Sequence, residues 1–425
     1  MLKCLLNKLT IIIEYTLVKK YNYITIVLTA LIEFKGGIFM YDELELKKFV
    51  IPEFIYGKDA RLLAGRYARN LGARKVLIVT DPGIIKAGWV SELIDDLEYS
   101  KLKYAIFKDI SPNPRDFEVM AGVEMFNKEK CNFIIAIGGG SPMDCAKGIG
   151  IIAANSGQIL DFEGVDKVTI PGPPLICIPT TSGSSADVSQ FAIILDTLKK
   201  TKIAIISKTV VPDIALIDPI MLTTMDPYLA ACTSMDAMTH AIEAYVSNAQ
   251  SAMSDLHAIE AINLISENVV NGLSDLSNIR VMSKLMLGSL HAGMAFSNAS
   301  LGAVHAMSHS LGGLLDLPHG ECNAILLAPV VKYNFMYSSD RFRKISSAMG
   351  LNLSRKSNEV VLKSLIEKIG LLRSGVGIGN NFKFANIDVN KITILAENAL
   401  NDACMVTNPV IPSKSDIEAI YEEVI

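Results

Sequence analysis

From about residue 50 to residue 220, short runs rich in β-branched residues alternate with longer mixed segments. The runs KVLIVT (75–80), YAIFKDI (104–110), NFIIAIGG (132–139), LICIPT (175–180), FAIILD (191–196) and IALIDP (214–219) predict strands. Between several of them the spacing is helical, as over residues 115–129. Continuous apolar strands alternating with helices imply a parallel sheet covered on both faces. Beyond Pro219 the texture changes. Residues 227–425 are rich in Ala, Leu, Met, Ser and Glu at helical spacing, and strand-like runs are almost absent. The pattern predicts an α/β domain over 40–220 and an all-α domain over 221–425.

Residues 1–39 fit neither half. They are apolar and β-branched, but charges at Lys8, Glu14, Lys19, Lys20 and Glu33 cut them into pieces too short for a spanning helix. A signal-peptide core would lie earlier and be followed by small residues. Met40 opens an ordinary polar segment, MYDELELKKF, so residues 1–39 read as an upstream extension, with a membrane-surface anchor as the competing reading.

At 425 residues the chain exceeds one usual hydrophobic core, in keeping with two domains. A net charge of -4 argues against nucleic acid as the main partner, because phosphate binding wants a basic excess. The 7 cysteines are scattered without a CxxC pair, which suggests reduced thiols and a cytoplasmic setting.

Two segments carry chemistry. In NFIIAIGGGSPMDCAKGIG a strand runs into Gly138, Gly139 and Gly140, which permit a tight turn and close approach to a ligand. Ser141 suits an N-cap, Pro142 a first helical position, and Asp144 completes a capping-box spacing. A helix N-terminus behind such a turn is a site for pyrophosphate, although the spacing is not the usual GxGxxG. A plain strand–helix turn is the bland alternative. Asp81 follows the first strand; it could accept ribose hydroxyls and repel the extra phosphate of NADP, or simply serve an Asp-Pro-Gly turn.

The second segment lies in the helical half. Of 6 histidines, His305, His309 and His319 fall within fifteen residues, and His305 and His309 share a helix face. His319 follows a Leu-Asp-Leu-Pro turn and is expected on a loop returning to that face. Upstream, MDAMTHAIEAY sets Asp236 and His240 one turn apart on an apolar helix, where both are costly unless paired or metal-bound. One carboxylate with several imidazoles suits Fe(II), Zn(II), Mn(II) or Co(II). His257 and His291 lack partners in this pattern and read as ordinary helix residues.

From about residue 48 onward the chain resembles the iron-containing (group III) alcohol dehydrogenases, the family of lactaldehyde reductase and 1,3-propanediol dehydrogenase. The resemblance rests on ordered motifs: SPNP (111–114), GGGSPMDCAK (138–147), PTTSGSSADV (179–188), MDAMTHAIEAY (235–245), AGMAFSNASLGAVHAMSHSLGG (292–313), PHGECNAILLAP (318–329) and DACMVTNP (402–409). It implies a Rossmann-like α/β domain followed by an all-α domain, the dehydroquinate synthase-like architecture, with the site in the cleft between them. It implies Fe2+ (or Zn2+) on Asp236, His240, His305 and His319, and a proton relay at His309. Contacts to NAD, in preference to NADP, are implied for Asp81, Asn113, Gly138, Gly139, Gly140, Ser141, Thr180, Thr181 and Lys202. Phe191 and Phe296 are candidate walls of the substrate pocket.

A small alcohol or aldehyde would then exchange hydride with the nicotinamide, in a homodimer or higher homo-oligomer. Ser184 and Asp187 replace a threonine and a glutamate common in the family, and Val410 stands where many members have arginine. The competing readings are a metal-dependent non-redox enzyme of the dehydroquinate synthase-like fold and an inactive or metal-storage scaffold.

Overall fold

The computed structural model describes residues 46–382 and 389–425. The expectations for residues 1–39 and for Met40 lie outside the described residues. In chain order the strands are β1 (Glu53–Tyr56), β2 (Lys75–Val79), β3 (Lys103–Phe107), β4 (Phe133–Gly138), β5 (Gly164–Val165), β6 (Leu175–Pro179), β7 (Phe191–Asp196), β8 (Thr201–Ile206) and β9 (Ile214–Ile217). Six of them form a parallel sheet in the order β1-β9-β6-β4-β2-β3.

The helices α1 (Ala64–Asn70), α2 (Pro82–Lys86), α3 (Trp89–Tyr99), α4 (Asp116–Lys128) and α5 (Gly140–Ala154) fall between these strands. The alternation within β2 explains its unbroken apolar run. Val76 and Ile78 join one apolar cluster with Trp89, Leu93 and Leu97. Leu77 and Val79 join another with Val119, Val123 and Ile149. Both faces are covered from Val76 to Val79, so those four positions are all apolar, and only Lys75 at the strand's start is polar.

Two strand expectations change. FAIILD is a strand, but β7 pairs antiparallel with β8 in a separate sheet that also holds β5. The four-residue link explains this: Asp196 Oδ1 accepts from the N–H of Leu198 and Lys199, and Lys200 takes a left-handed φ of 55°. So short a turn reverses the chain, whereas a parallel neighbour needs a long crossover. The strands β1, β5 and β8 were not anticipated, because EFIY is short, β5 is only the pair Gly164–Val165, and TKIAII opens on polar residues.

After Pro219 the described α-helices are α6 (Pro227–Val246), α7 (Ala252–Ser274), α8 (Ile279–Ala299), α9 (Ala303–Leu315), α10 (His319–Asn334), α11 (Ser339–Ala348), α12 (Asn358–Gly375), α13 (Val389–Asn401) and α14 (Lys414–Val424). They share one large apolar core that includes Met235, Met238, Ile242, Met286 and Leu326. Residues 47–425 form one compact unit. Among the described residues no helix is long and apolar enough to cross a membrane.

Two local expectations are corrected. The helix after the glycine turn starts at Gly140 with Gly139 as its N-cap, so Ser141 lies in the first turn and Asp144 closes no capping box. The chain bends at Gly138 (φ 155°) and is already helical when it reaches the serine. His319 is not on a loop; it is the first residue of α10, behind Pro318 as N-cap.

Candidate metal centre

Strands β2, β4 and β6 are parallel neighbours, so their carboxyl ends emerge on one edge. Asp81, the glycine turn and Thr180–Thr181 follow those three ends. The chain passes from β2 to β3 on one side and then back across to β4 on the other. Such a reversal leaves a crevice outside the strand ends where ligands bind.

The glycines there are sterically required. A Cβ on Gly138 would lie 2.7 Å from Pro142 Cγ, and one on Gly140 would lie 2.9 Å from Ser184 Cβ. The 15-residue α5 points its N-terminus into this crevice, where unpaired N–H groups and the helix dipole favour an anion. Asp81 also caps α2, accepting from the N–H of Gly83 and Ile84 at 2.8 and 3.1 Å. The turn reading and the ligand reading of Asp81 are therefore compatible.

The crevice widens into a cleft of about 910 Å³ that reaches the histidines. Every candidate site residue named from the sequence lines it except Gly138, which shapes its floor through the backbone. Asn113 (φ 58°) donates from Nδ2 to Asp316 Oδ1 at 2.9 Å, and Arg115 pairs with the same carboxylate at 3.0 Å. That contact ties the SPNP loop to the end of α9. Lys202, on β8, is buried, which lowers its pKa.

Four ligand-type side chains converge at the far end. The Nε2 atoms of His240, His305 and His319 lie 3.8, 3.6 and 3.8 Å from Asp236 Oδ1. Ligands about 2.0–2.2 Å from a tetrahedral cation stand roughly 3.4 Å apart, close to these separations. Asp236 and His240 come from successive turns of α6, His305 from α9 and His319 from α10. Close approach makes this possible: a Cβ on Gly320 would sit 2.5 Å from the carbonyl oxygen of Cys232, so α6 and α10 touch through backbone.

Burial opposes charge on all these groups. The surrounding histidines nonetheless hold the Asp236 carboxyl far below the usual carboxylate range. Burial drives His240 down to about 3 and His319 well below its ordinary value. His305 resists burial through hydrogen bonds to Asp236 and Glu243 and rises to about 9.

The set is short of positive charge at its centre. Asn323 Nδ2 donates to Asp236 Oδ1 at 2.6 Å and lies 3.0 and 3.2 Å from the Nε2 atoms of His305 and His319. The amide's two hydrogens face a carboxylate oxygen and two imidazole nitrogens at once, and Asn323 Oδ1 is left buried without a partner. A divalent cation fits this donor set: ligand atoms of Asp236, His305 and His319 all lie within 4.8 Å of one another, and His240 Nε2 adjoins the same carboxylate oxygen.

Each of three imidazoles is turned by a partner at Nδ1. His305 Nδ1–H donates to Glu243 Oε2 at 2.6 Å, and His319 Nδ1 lies 3.0 Å from Ser308 Oγ. His309 Nδ1 lies 2.9 Å from Asp402 Oδ2. Glu243 also accepts from the backbone N–H of Gly302 and Val304 at 3.1 and 2.7 Å, so it caps α9 as well. Sequence reasoning missed Glu243, Asn323 and Asp402 as parts of the site. The argument applied to Asp236, a carboxylate on a buried apolar helix, would have found Glu243. Asn323 stands one turn after His319, and Asp402 opens a motif already noted. His257 and His291 are helix residues, as expected, but they pair with each other, Nδ1 to Nδ1, at 2.9 Å.

Two family descriptions account for nearly the whole of this unit: "Iron-containing alcohol dehydrogenase" over residues 52–219, and "Fe-containing alcohol dehydrogenase family, C-terminal" over residues 230–425. The chain belongs to the iron-containing alcohol dehydrogenase family. It is 36% identical over 378 residues to the 1,3-propanediol dehydrogenase of Klebsiella pneumoniae, covering 88% of this chain and 98% of that one. The NAD-dependent methanol dehydrogenase of Bacillus methanolicus is 33% identical over 374 residues, 88% of this chain and 98% of its own. A crystal structure of 1,3-propanediol oxidoreductase superposes with a TM-score of 0.87 at 35% identity, covering 90% of this chain and all of the other. An oxidoreductase of this family is what the motifs implied, and nothing supports the non-redox alternative.

Proposed function

We propose that this iron-containing alcohol dehydrogenase moves a hydride between a small primary alcohol or diol and NAD. Asp236, His240, His305 and His319 would hold the metal, and His309 would carry the proton. The observation that supports the reading best is the convergence of three Nε2 atoms on Asp236 Oδ1 within 3.8 Å, at the end of a cleft that begins at a glycine turn.

A metal held there supplies Lewis acidity toward a hydroxyl or carbonyl oxygen, and the nicotinamide supplies the hydride acceptor. The chain does the rest. Gly138–Gly140 and the start of α5 seat the pyrophosphate, Asp81 addresses the ribose, and Asn113, Ser141, Thr180, Thr181 and Lys202 line the path between them. Phe296 stacks on His240 with ring centroids 4.3 Å apart, and Phe191 lies 5.7 Å from Phe296. These rings wall the metal end with apolar surface, which suits a small carbon chain and keeps water out.

In this reading residues 40–220 form the cofactor domain and residues 221–425 the metal domain. The six described cysteines are all buried and free, in keeping with a reducing compartment such as the cytoplasm. Among the described residues β1 is an edge strand, where a second copy could pair in a homodimer or larger assembly.

The test is to strip the enzyme of metal, restore Fe(II) or Zn(II), and assay a panel of alcohols and aldehydes with NADH and NADPH in parallel. Metal-dependent turnover that favours NADH is expected. Equal turnover with and without metal would end the proposal.

A further inference from the structure

We infer that Asp402 is a positioning residue that fixes the tautomer and orientation of His309, so that Nε2 of His309 is free to take the substrate proton. The inference rests on the relay role proposed above. His305 and His309 stand one turn apart on α9 and both carry an imidazole at the cleft. Two different buried carboxylates give them different work. Glu243, from α6, takes Nδ1–H of His305 and leaves its Nε2 3.6 Å from Asp236 Oδ1. Asp402, from the segment after α13, takes Nδ1–H of His309 at 2.9 Å. Nε2 of His309 is then the nitrogen left for the cleft.

Asp402 is built to hold that geometry. Its side chain is only 8% exposed, and its other oxygen accepts the backbone N–H of Cys404 at 2.8 Å. It thereby caps the short helical turn Ala403–Thr407. Each of its oxygens faces a nitrogen, Nδ1 of His309 and the backbone N–H of Cys404, the arrangement of an ionised acceptor. A carboxylate that only accepts must face a protonated Nδ1, and a neutral imidazole protonated there is an acceptor at Nε2.

The step balances without another reagent. In alcohol oxidation the carbon gives a hydride to the nicotinamide, and the O–H electron pair stays to form the carbonyl. The hydroxyl proton passes, through intervening hydroxyls, to His309 Nε2. The imidazolium that forms lies against Asp402 and then yields its proton to solvent.

The nearby thiol raises a different reading, since His309, Asp402 and Cys404 offer ligand atoms within 4.8 Å of one another. Burial raises that thiol's pKa in the metal-free fold, and the metal count in the test below separates this reading from the positioning one.

The test compares zinc-loaded wild type, Asp402→Asn, Asp402→Glu, His309→Ala and the double variant Asp402→Asn/His309→Ala. Asp402→Asn should lower kcat about 100-fold, with KM for the alcohol changed less than about threefold and one metal per chain retained. Asp402→Glu should recover at least roughly tenfold of that loss. In the His309→Ala background Asp402→Asn should cost less than about twofold, because a residue acting only through His309 has nothing left to position. Nitrogen-15 NMR of the histidines should place the His309 proton on Nδ1 in wild type and on Nε2 in Asp402→Asn.

If His309→Ala keeps full rate, the relay reading itself fails. If His309→Ala is slow while Asp402→Asn is fast, or costs as much in both backgrounds, the positioning inference alone is overturned. An unchanged proton position in Asp402→Asn overturns it too, as would a second metal per chain that Asp402→Asn removes.

Discussion

Glu243→Gln separates the two tasks that one buried carboxylate performs. Glu243 Oε2 accepts from His305 Nδ1 at 2.6 Å and from Gly302 N–H at 3.1 Å, while Oε1 accepts from Val304 N–H at 2.7 Å. A glutamine has one acceptor oxygen. Its best placement keeps that oxygen on His305 and Gly302 and turns the NH2 toward Val304 N–H, donor against donor. The loss is one charge-assisted bond of about 1.5–3 kcal/mol and one buried N–H left unpaired, about 1–3 kcal/mol more. The metal-free protein should therefore lose on the order of 3 kcal/mol to denaturant unfolding. His305 keeps its orientation but faces a neutral, less polarising partner, so metal affinity should fall roughly 10–100-fold. Competition with a chromogenic chelator measures the second quantity independently of the first. Affinity within about threefold of wild type, with stability unchanged, would refute the assignment of Glu243 to both jobs.

Other outcomes follow from the same geometry. In the metal-free protein His305, at about 9, is protonated at neutral pH, whereas His240, at about 3, and His319, far below its ordinary value, are neutral. Metal binding should thus release close to one proton at neutral pH and about half a proton near pH 9, and affinity should climb with pH up to about 9 and level off above it. Calorimetry in buffers of different ionisation enthalpy counts that proton. The same shift stabilises the metal-free fold below about pH 6.5, and this contribution disappears as pH rises through about 9. Gly320→Ala must push α6 and α10 apart by about 1 Å, costing roughly 1–3 kcal/mol and, with His319 displaced, most of the bound metal; elemental analysis of the purified variant reads this. Gly138→Ala meets both a φ of 155° and the Pro142 ring, so it should raise KM for NADH without removing metal, as steady-state assay and metal content together would show. Arg115→Ala should change unfolding stability by less than about 1 kcal/mol, because its Asp316 partner is 56% exposed.

The parts of this molecule that sequence made legible are those governed by local rules. Unbroken apolar runs at 76–79 and 133–138 are buried parallel strands because both sheet faces are covered, and Asp236 and His240 share a helix face at their spacing of four. What stayed hidden depends on contacts between distant segments. That FAIILD leaves the main sheet follows from a turn at Asp196–Lys200 that no periodicity reveals. His319 was expected on a loop because a proline precedes it, yet Pro318 starts the helix rather than ending one. Asp402 reaches His309 across 93 residues, and Asn408 Oδ1 meets the N–H of Ala303 across 105. No pattern in either segment alone could announce such a meeting.

The tail of the chain completes the helix that carries the paired histidines. Asn408 closes the first turn of α9, Thr407 Oγ1 donates to the Leu301 carbonyl, and Tyr421 donates its hydroxyl to the carbonyl of Met307. During synthesis, then, α9 leaves the ribosome long before the residues that anchor it. Ordering of the imidazoles around Asp236 has to wait until those anchoring segments have emerged, and a nascent chain stopped before them would present its histidines without the scaffold that gathers them.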